Sequence, residues 1–472
     1  MFDPVIAPSG TLLGLLQRGR GDGTLHALAA PRTEALAALN HCVLNDPRHD
    51  WQVENRSLYY ARLYLDLHGG LDAVDRHLFD AEDRFDTEES RTGLALAVLG
   101  HLASYGRRDA LELLRRYAAT GANWAWALDE LALRDDDTGL RSLAVPVLAR
   151  FPATPEGDTE LAAAVRDAFE PRPWRLWADD PRQEVGARVR AAGEQGSFDR
   201  WQRQLRPSGP RPGWSVAAVF VWAQQGLERG SALHVPAARC LSAVAGPEDR
   251  PLIVETARGG PDGARSAALH YLAGAGDPAV LDLIEAAAVS PDRTVSDAAV
   301  SAFERMCGEE AVDRARGWVH RPDALGASAA GVLAFRGGTR DAPLVLGALR
   351  ETVRAEGPDA PRLWTLVDGA GRLGIVCAAP VLRHVYRETA SSQLRGRTAR
   401  ALAATDPSFA TGFAVECLWD CEETTREVAA LHAETGDVRV AERLRRLAAD
   451  PAEEAEVQTA VRSRIGPDAA TR

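Results

Sequence analysis

Gly263-Ala264-Arg265-Ser266-Ala267-Ala268-Leu269-His270-Tyr271-Leu272-Ala273-Gly274-Ala275-Gly276-Asp277-Pro278-Ala279-Val280-Leu281-Asp282-Leu283-Ile284 is the stretch that decides the fold. Ala264, Ala267, Ala268, Tyr271 and Leu272 recur at helical spacing, and Gly274-Ala275-Gly276 supplies a stop. Asp277 stands where an N-cap belongs, with Pro278 at the first helical position. A second helix then runs from Pro278 to Ala288, with Val280, Leu281, Ile284 and Ala287 on one side. Ser290-Pro291-Asp292 breaks it, and Val295 to Met306 repeats the small-residue pattern through Ala298, Ala299, Ala302 and Phe303. Two short helices, a tight turn and alanine at the facing positions describe one paired-helix unit.

The same start signal returns along the C-terminal half. Asp249-Arg250-Pro251, Asp277-Pro278, Glu310-Ala311, Asp341-Ala342-Pro343, Ala379-Pro380, Asp406-Pro407 and Asp437-Val438 are separated by 27, 33, 32, 37, 27 and 31 positions. A period in the 20–50 range marks an array in which each unit stacks on its neighbours to bury a face it cannot bury alone.

Ala267-Ala268-Leu269 through Gly276-Asp277-Pro278, and Thr425-Arg426-Glu427-Val428 through Gly436-Asp437, carry a resemblance to the bacterial HEAT repeat in its short, phycobilin-lyase-like form. The resemblance covers roughly 235–450 and implies an α-α superhelix; it implies no chemistry. The expected fold is all-α: a right-handed HEAT-like solenoid of about ten to thirteen helix pairs, in two stacked segments with an irregular central junction.

Residues 1–30 form an N-terminal segment, 31–150 N-terminal repeats, 151–214 the junction and 215–465 C-terminal repeats. Thr33 to Leu44, a long helix from Pro47 to about His68, Gly93 to Tyr105 and Ala110 to Ala118 are the N-terminal helices, less regular because terminal repeats cap a stack. In the junction, Pro152, Pro155, Pro171, Pro173, Pro181, Pro207, Pro210 and Pro212 break the period, as a hinge or an insertion does.

Of the 472 residues, 46% are hydrophobic and 26% charged, the balance of a folded soluble chain. No apolar run approaches a membrane span, Met1 to Gly10 lacks the basic residues of a secretory signal, and six scattered cysteines are too few for a disulfide framework. These features point to the cytoplasm and away from a membrane. All 55 basic residues are arginine, which excludes a Schiff-base lysine and a phosphate-loop lysine. The net charge of −12 is uneven: residues 1–170 carry −10, 171–214 carry +4 and 215–472 carry −6. An acidic body repels a phosphate backbone, so only 171–214 can attract a nucleic acid.

Two constellations are candidates for contact with a partner. In the first, His49, Gln52, Arg56 and Tyr59 share one face of the helix after Asp46-Pro47, set against a buried stripe of Val53, Tyr60, Leu63, Tyr64 and Leu67. The second is the junction set of Arg172, Trp174, Arg175, Trp177, Arg200, Trp201 and Arg203. Arginine and tryptophan are hot-spot residue types and also stack on bases. The same rings can instead plug an irregular joint while the arginines pair with the acidic body.

No cofactor, metal or catalytic set emerges. Cys417 and Cys421 lie one helical turn apart without further ligands nearby, and no His-Glu dipeptide is present to suggest the di-iron motifs of HEAT-type hydroxylases. HEAT-type DNA glycosylases carry Trp, Asp and Arg on a concave surface, which Trp124, Trp126, Asp129 and Glu130 match in part, but on an acidic rather than a basic body. The expectation is a non-enzymatic scaffold or adaptor that binds another protein through solenoid surfaces. The alternative is a nucleic-acid-binding protein, glycosylase-like in the extreme, using the basic junction; a short-HEAT lyase is a third class.

Overall fold

The computed structural model describes residues 6–47, 56–85, 91–204 and 213–465, with side chains described up to residue 195 in the helix that ends at Gln204. Among these residues every regular element is a helix: twenty-nine α-helices and four 3-10 turns, with no strand. Helices pack on neighbours in chain order, so the chain is an all-α helical solenoid.

Its helices fall into two compact units that cut across the linear segments read from the sequence. One comprises Met1–Pro207, Glu388–Ala399 and Ser408–Arg472; the other comprises Ser208–Arg387 and Arg400–Pro407.

The second unit shows the repeat most plainly. His234–Val244, Asp262–Gly274, Arg293–Arg305, Ala324–Arg336 and Leu363–Arg372 stack in one row. Arg250–Gly259, Val280–Ala288, Glu309–Trp318 and Ala342–Glu356 each pack on the row helix that follows them. Small residues set the spacing. A Cβ placed on Gly369 would lie 2.5–2.8 Å from Ala334, closer than any real methyl contact. Ala267, Ala299, Ala302 and Ala329 are fully buried in the same row.

Of the seven start signals only Asp437 acts as a side-chain N-cap; the other capping aspartates, Asp292 and Asp323, stand outside that series. Asp292 accepts from Thr294 and Val295, Asp323 from Gly326, and Asp437 from Arg439. Asp277 instead folds back onto the Ala279 amide at 3.0 Å, and the helix begins only at Val280. Asp406-Pro407 starts no helix. The Asp406 carboxylate is buried and takes a two-pronged bond from Arg383, Nε and Nη2 both at 2.7 Å, and the next helix begins at Phe413.

In the first unit a stretch near residue 20 meets one near residue 420. The Gly19 carbonyl accepts the Cys421 amide at 2.9 Å, and the Arg20 guanidinium grips Glu416 Oε1 through Nε at 2.9 Å and Nη2 at 2.6 Å. Tyr59 Oη donates to the Arg20 carbonyl at 2.8 Å, and Gly21 lies so close to the Glu416 carbonyl that no side chain fits there. Nearby, Arg395 bonds Asp420 at 2.7 and 3.0 Å with both side chains fully buried.

His270 sits in the second unit, 2% exposed, its ring 4.9 Å from that of His234. Neither of its ring nitrogens has a hydrogen-bond partner among the described residues. Burial, then His234 and Arg305, pull its pKa down to about 4. The fold therefore holds a neutral imidazole, and the stability this contributes is present above the unfolded value of about 6.5. It is lost as pH falls from there toward 4.

Two expected outcomes follow from this packing. Gly369→Ala should lower stability by about 1–3 kcal/mol through overpacking, whereas Gly347→Ala, with open space at its Cβ, should raise it by roughly 0.4–1 kcal/mol; urea midpoints check both. Urea unfolding between pH 7 and 4 should show an acid loss of stability that His270→Phe reduces in part, the similarly depressed His101 supplying another part; an unchanged pH dependence in that variant would assign the loss to other groups.

Candidate functional site

Three helices bound the most promising surface. In Pro155–Asp167, Thr154 accepts from the Gly157 amide and Pro155 occupies the first turn. Pro173 likewise sits in the first turn of Arg172–Ala178. The third is Gln183–Gln204. All three lie in the first unit and pack on one another or on the helices before them.

Trp174 and Trp177 are core, not surface. Trp177 is fully buried and donates Nε1–H to the Leu140 carbonyl at 2.8 Å. Trp174, 5% exposed, meets Trp177 edge-on at 4.9 Å and Trp124 at 6.3 Å, and Trp124 in turn meets Phe151 at 5.8 Å. Four rings fill the joint between the Trp124–Arg134 helix and the Pro-broken segment. Each buries a large apolar area, and this outweighs their use as exposed hot spots. Trp177 is thus withdrawn as a partner contact, and Trp174 offers only the edge that lines the groove described below.

Arg172 is also structural. Its Nη1 bonds the Ala132 and Asp135 carbonyls at 2.7 and 3.0 Å, closing the end of the Trp124–Arg134 helix, and its Nη2 takes Asp137 at 2.6 Å. Arg188 similarly holds the Phe151 and Pro152 carbonyls. Arg175 differs: it is exposed, and its guanidinium makes no hydrogen bond or ion pair among the described residues.

The face expected from the N-terminal helix is not a surface either. Arg56 is fully buried and pairs with Asp46, and Tyr59 is buried against the Gly19–Gly21 turn. They sit inside because Asp46 and the Gly19–Gly21 turn pack on them, and that turn is held by residues near Glu416–Cys421, a partner no local pattern shows. His49 and Gln52 lie outside the described residues, as do the side chains of Arg200, Trp201 and Arg203.

What remains is a groove of about 680 Å³. Val165, Pro171, Trp174, Ala178 and Val189 give it an apolar floor; Arg166, Arg175 and Arg190 stand around it with a single acid, Glu194. Arg166 is tied to Asp167, and Arg190 donates to the Ala178 carbonyl. Arg175 is the arginine most ready to meet an incoming anion. In comparisons with known proteins, no family model and no curated protein matches the chain. The reading of this groove therefore rests on its geometry.

Arg166 stood outside the basic stretch counted from the sequence, yet it joins the groove from the preceding helix. The paired strings Val165-Arg166 and Val189-Arg190, each an apolar residue beside an arginine on a helix, were the signal available.

A second polar cluster in the first unit is already satisfied. Arg62 bonds Asp450 at 2.8 Å and Glu453 at 3.2 Å, and Tyr105 donates to both Asp450 oxygens at 2.8 and 2.9 Å. Glu130, against Gly100 and 2.7 Å from Arg134, is pushed up to about 7 by burial, with Asp129 adding to the rise and Arg134 opposing it. Asp129 accepts the Glu170 amide at 3.0 Å and Trp124 belongs to the aromatic joint, while Trp126 and Asp129 both act on Glu130. Cys417 and Cys421 are buried thiols outside any disulfide. Among the described residues no group of three or more His, Cys, Asp or Glu is placed to hold a metal, and no helix is long and apolar enough to cross a membrane.

The two neighbouring arginines should separate by role. Arg172→Ala should cost about 1–3 kcal/mol of stability by orphaning two helix-end carbonyls and Asp137. Arg175→Ala should stay within about 0.5 kcal/mol of the parent, both read from urea midpoints.

Proposed function

We propose that this chain is a cytoplasmic, non-enzymatic scaffold of the HEAT-like type that binds an acidic segment of another protein in the Arg166–Arg175–Arg190 groove. The observation that carries the reading is the groove itself: an apolar floor with three arginines to one acid, on a chain whose net charge is −12. Its volume of about 680 Å³ falls inside the roughly 300–1,000 Å³ usual for ligand sites. The open form suits a few side chains of a peptide segment. An apolar anchor would seat on Val165, Val189 and the exposed edge of Trp174, and carboxylates would meet Arg175 first, since its fork is uncommitted.

The nucleic-acid reading draws less support. Stacking needs exposed ring faces, and the rings of Trp174 and Trp177 are packed against protein.

Affinity purification from the native host at physiological salt should recover one stoichiometric protein partner. Arg175→Glu/Arg190→Glu should weaken the isolated complex by roughly tenfold or more, and the parent complex should weaken as salt rises. Circular dichroism establishes that the variant is folded. A partner retained at full affinity by that variant removes the groove from the proposal, and salt-dependent binding of nucleic acid without a protein partner favours the alternative.

A further inference from the structure

A separate, smaller pocket lies where the stretches near residues 20 and 420 meet in the first unit. It is enclosed by the Gly21–Ala29 helix, the Phe413–Cys417 helix with Trp419 just after it, and the Val438–Ala449 helix. Leu25, Leu28, Val415 and Trp419 make its apolar lining, and its volume is about 170 Å³. That is below the roughly 300–1,000 Å³ of ordinary ligand pockets, which leaves room for an aryl ring or a short acyl chain and none for a nucleotide.

Arg443 commands the polar side. Its Nε–H is fixed on the Leu418 carbonyl at 3.0 Å, and its guanidinium lies 5.5 Å from the centre of the Trp419 ring. Both Nη groups are left without a hydrogen bond or ion pair among the described residues. The other arginines here are engaged: Arg439 with Asp437 and Arg446 with Glu442, the pocket's one acid. Behind Arg443, Glu453 is taken by Arg426 and Arg62. A guanidinium oriented by one bond, with both amino groups open beside an apolar lining, matches a single carboxylate with an apolar body.

We propose that this pocket binds a small amphiphilic monocarboxylate, its carboxylate forked on the two Nη groups of Arg443 and its apolar body on Leu25, Leu28, Val415 and Trp419. The surroundings favour an anion over any neutral group. Burial, then Arg62 and Arg426, hold the Arg443 pKa down to about 9 against the opposing pull of Glu453 and Asp66, so a carboxylate there would offset the lost hydration and the like-charge crowding. Because the walls come from both of those stretches, such a ligand would also stabilise their association by binding only the folded unit.

The test uses the full chain and three probes: phenylacetate, phenylacetamide and acetate, followed by calorimetry and thermal unfolding. Phenylacetate should bind saturably and raise Tm, with the uncharged amide and the bodiless acetate each at least tenfold weaker. Arg443→Gln should weaken phenylacetate at least tenfold while Arg439→Gln changes it less than twofold; Leu28→Asp, on the exposed rim, should also reduce binding without unfolding the protein. Equal affinity for acid and amide would overturn the proposal. So would undiminished binding by a folded Arg443→Gln protein, equal loss in Arg439→Gln, absence of saturable binding, or binding confined to an acetylated, amidated Asp-Phe peptide. The Arg166–Arg175–Arg190 groove shares no residue with this pocket, so either reading can fail alone.

Discussion

A guanidinium closed on a carboxylate about one repeat further along the chain holds successive units in register. Arg250 takes Asp277, Arg316 takes Asp341, Arg383 takes Asp406, Arg395 takes Asp420 and Arg426 takes Glu453, at separations of 27, 25, 23, 25 and 27 residues. Four of the five are two-pronged. The fork fixes direction as well as distance, which a lysine cannot do. Packing of small residues allows the helices to approach; the forks decide which turn of one unit faces which helix of the next. Removing one partner of the fully buried Arg395–Asp420 pair would strand a charge at a cost of about 3–5 kcal/mol, although a well-packed apolar pair in its place need not be worse.

This changes the meaning of the recurring aspartates. Asp292, Asp323 and Asp437 cap helices, as their positions before a helical pattern indicate. Asp341 and Asp406 look the same in sequence but are buried anion partners of Arg316 and Arg383. Capping is local, so it can be read from a few residues. Pairing depends on what lies a repeat away, and the period brings the right arginine there.

The helical architecture was legible because it is written in local terms: alanine at helical spacing, glycine stops, and Asp or Pro at the starts. The candidate site was legible only in its residue types. Trp174, Trp177, Arg56 and Tyr59 are the kinds of side chain that make good contacts, and they do make them, with the rest of the same chain. Burial is set by what packs opposite, and for Arg56 and Tyr59 that is the turn at Gly19–Gly21, itself held in place by the stretch around Glu416–Cys421. Arg175 escaped this fate because its side of the Arg172–Ala178 helix faces the groove rather than the four-ring joint.

The bonding of Arg20 to Glu416, and of the Gly19 carbonyl to the Cys421 amide, has an evolutionary corollary. An open repeat array can lengthen or shorten by duplicating or deleting a unit, since each unit touches only its neighbours. Here stretches about 400 residues apart, around Gly19–Gly21 and Glu416–Cys421, are neighbours within the first unit. One additional repeat within the first unit's stretch would have to be accommodated by its neighbours there or would part that seam. Unequal recombination, the usual source of variation in repeat number, should therefore be poorly tolerated in that unit, and its descendants should diverge by substitution at a fixed count.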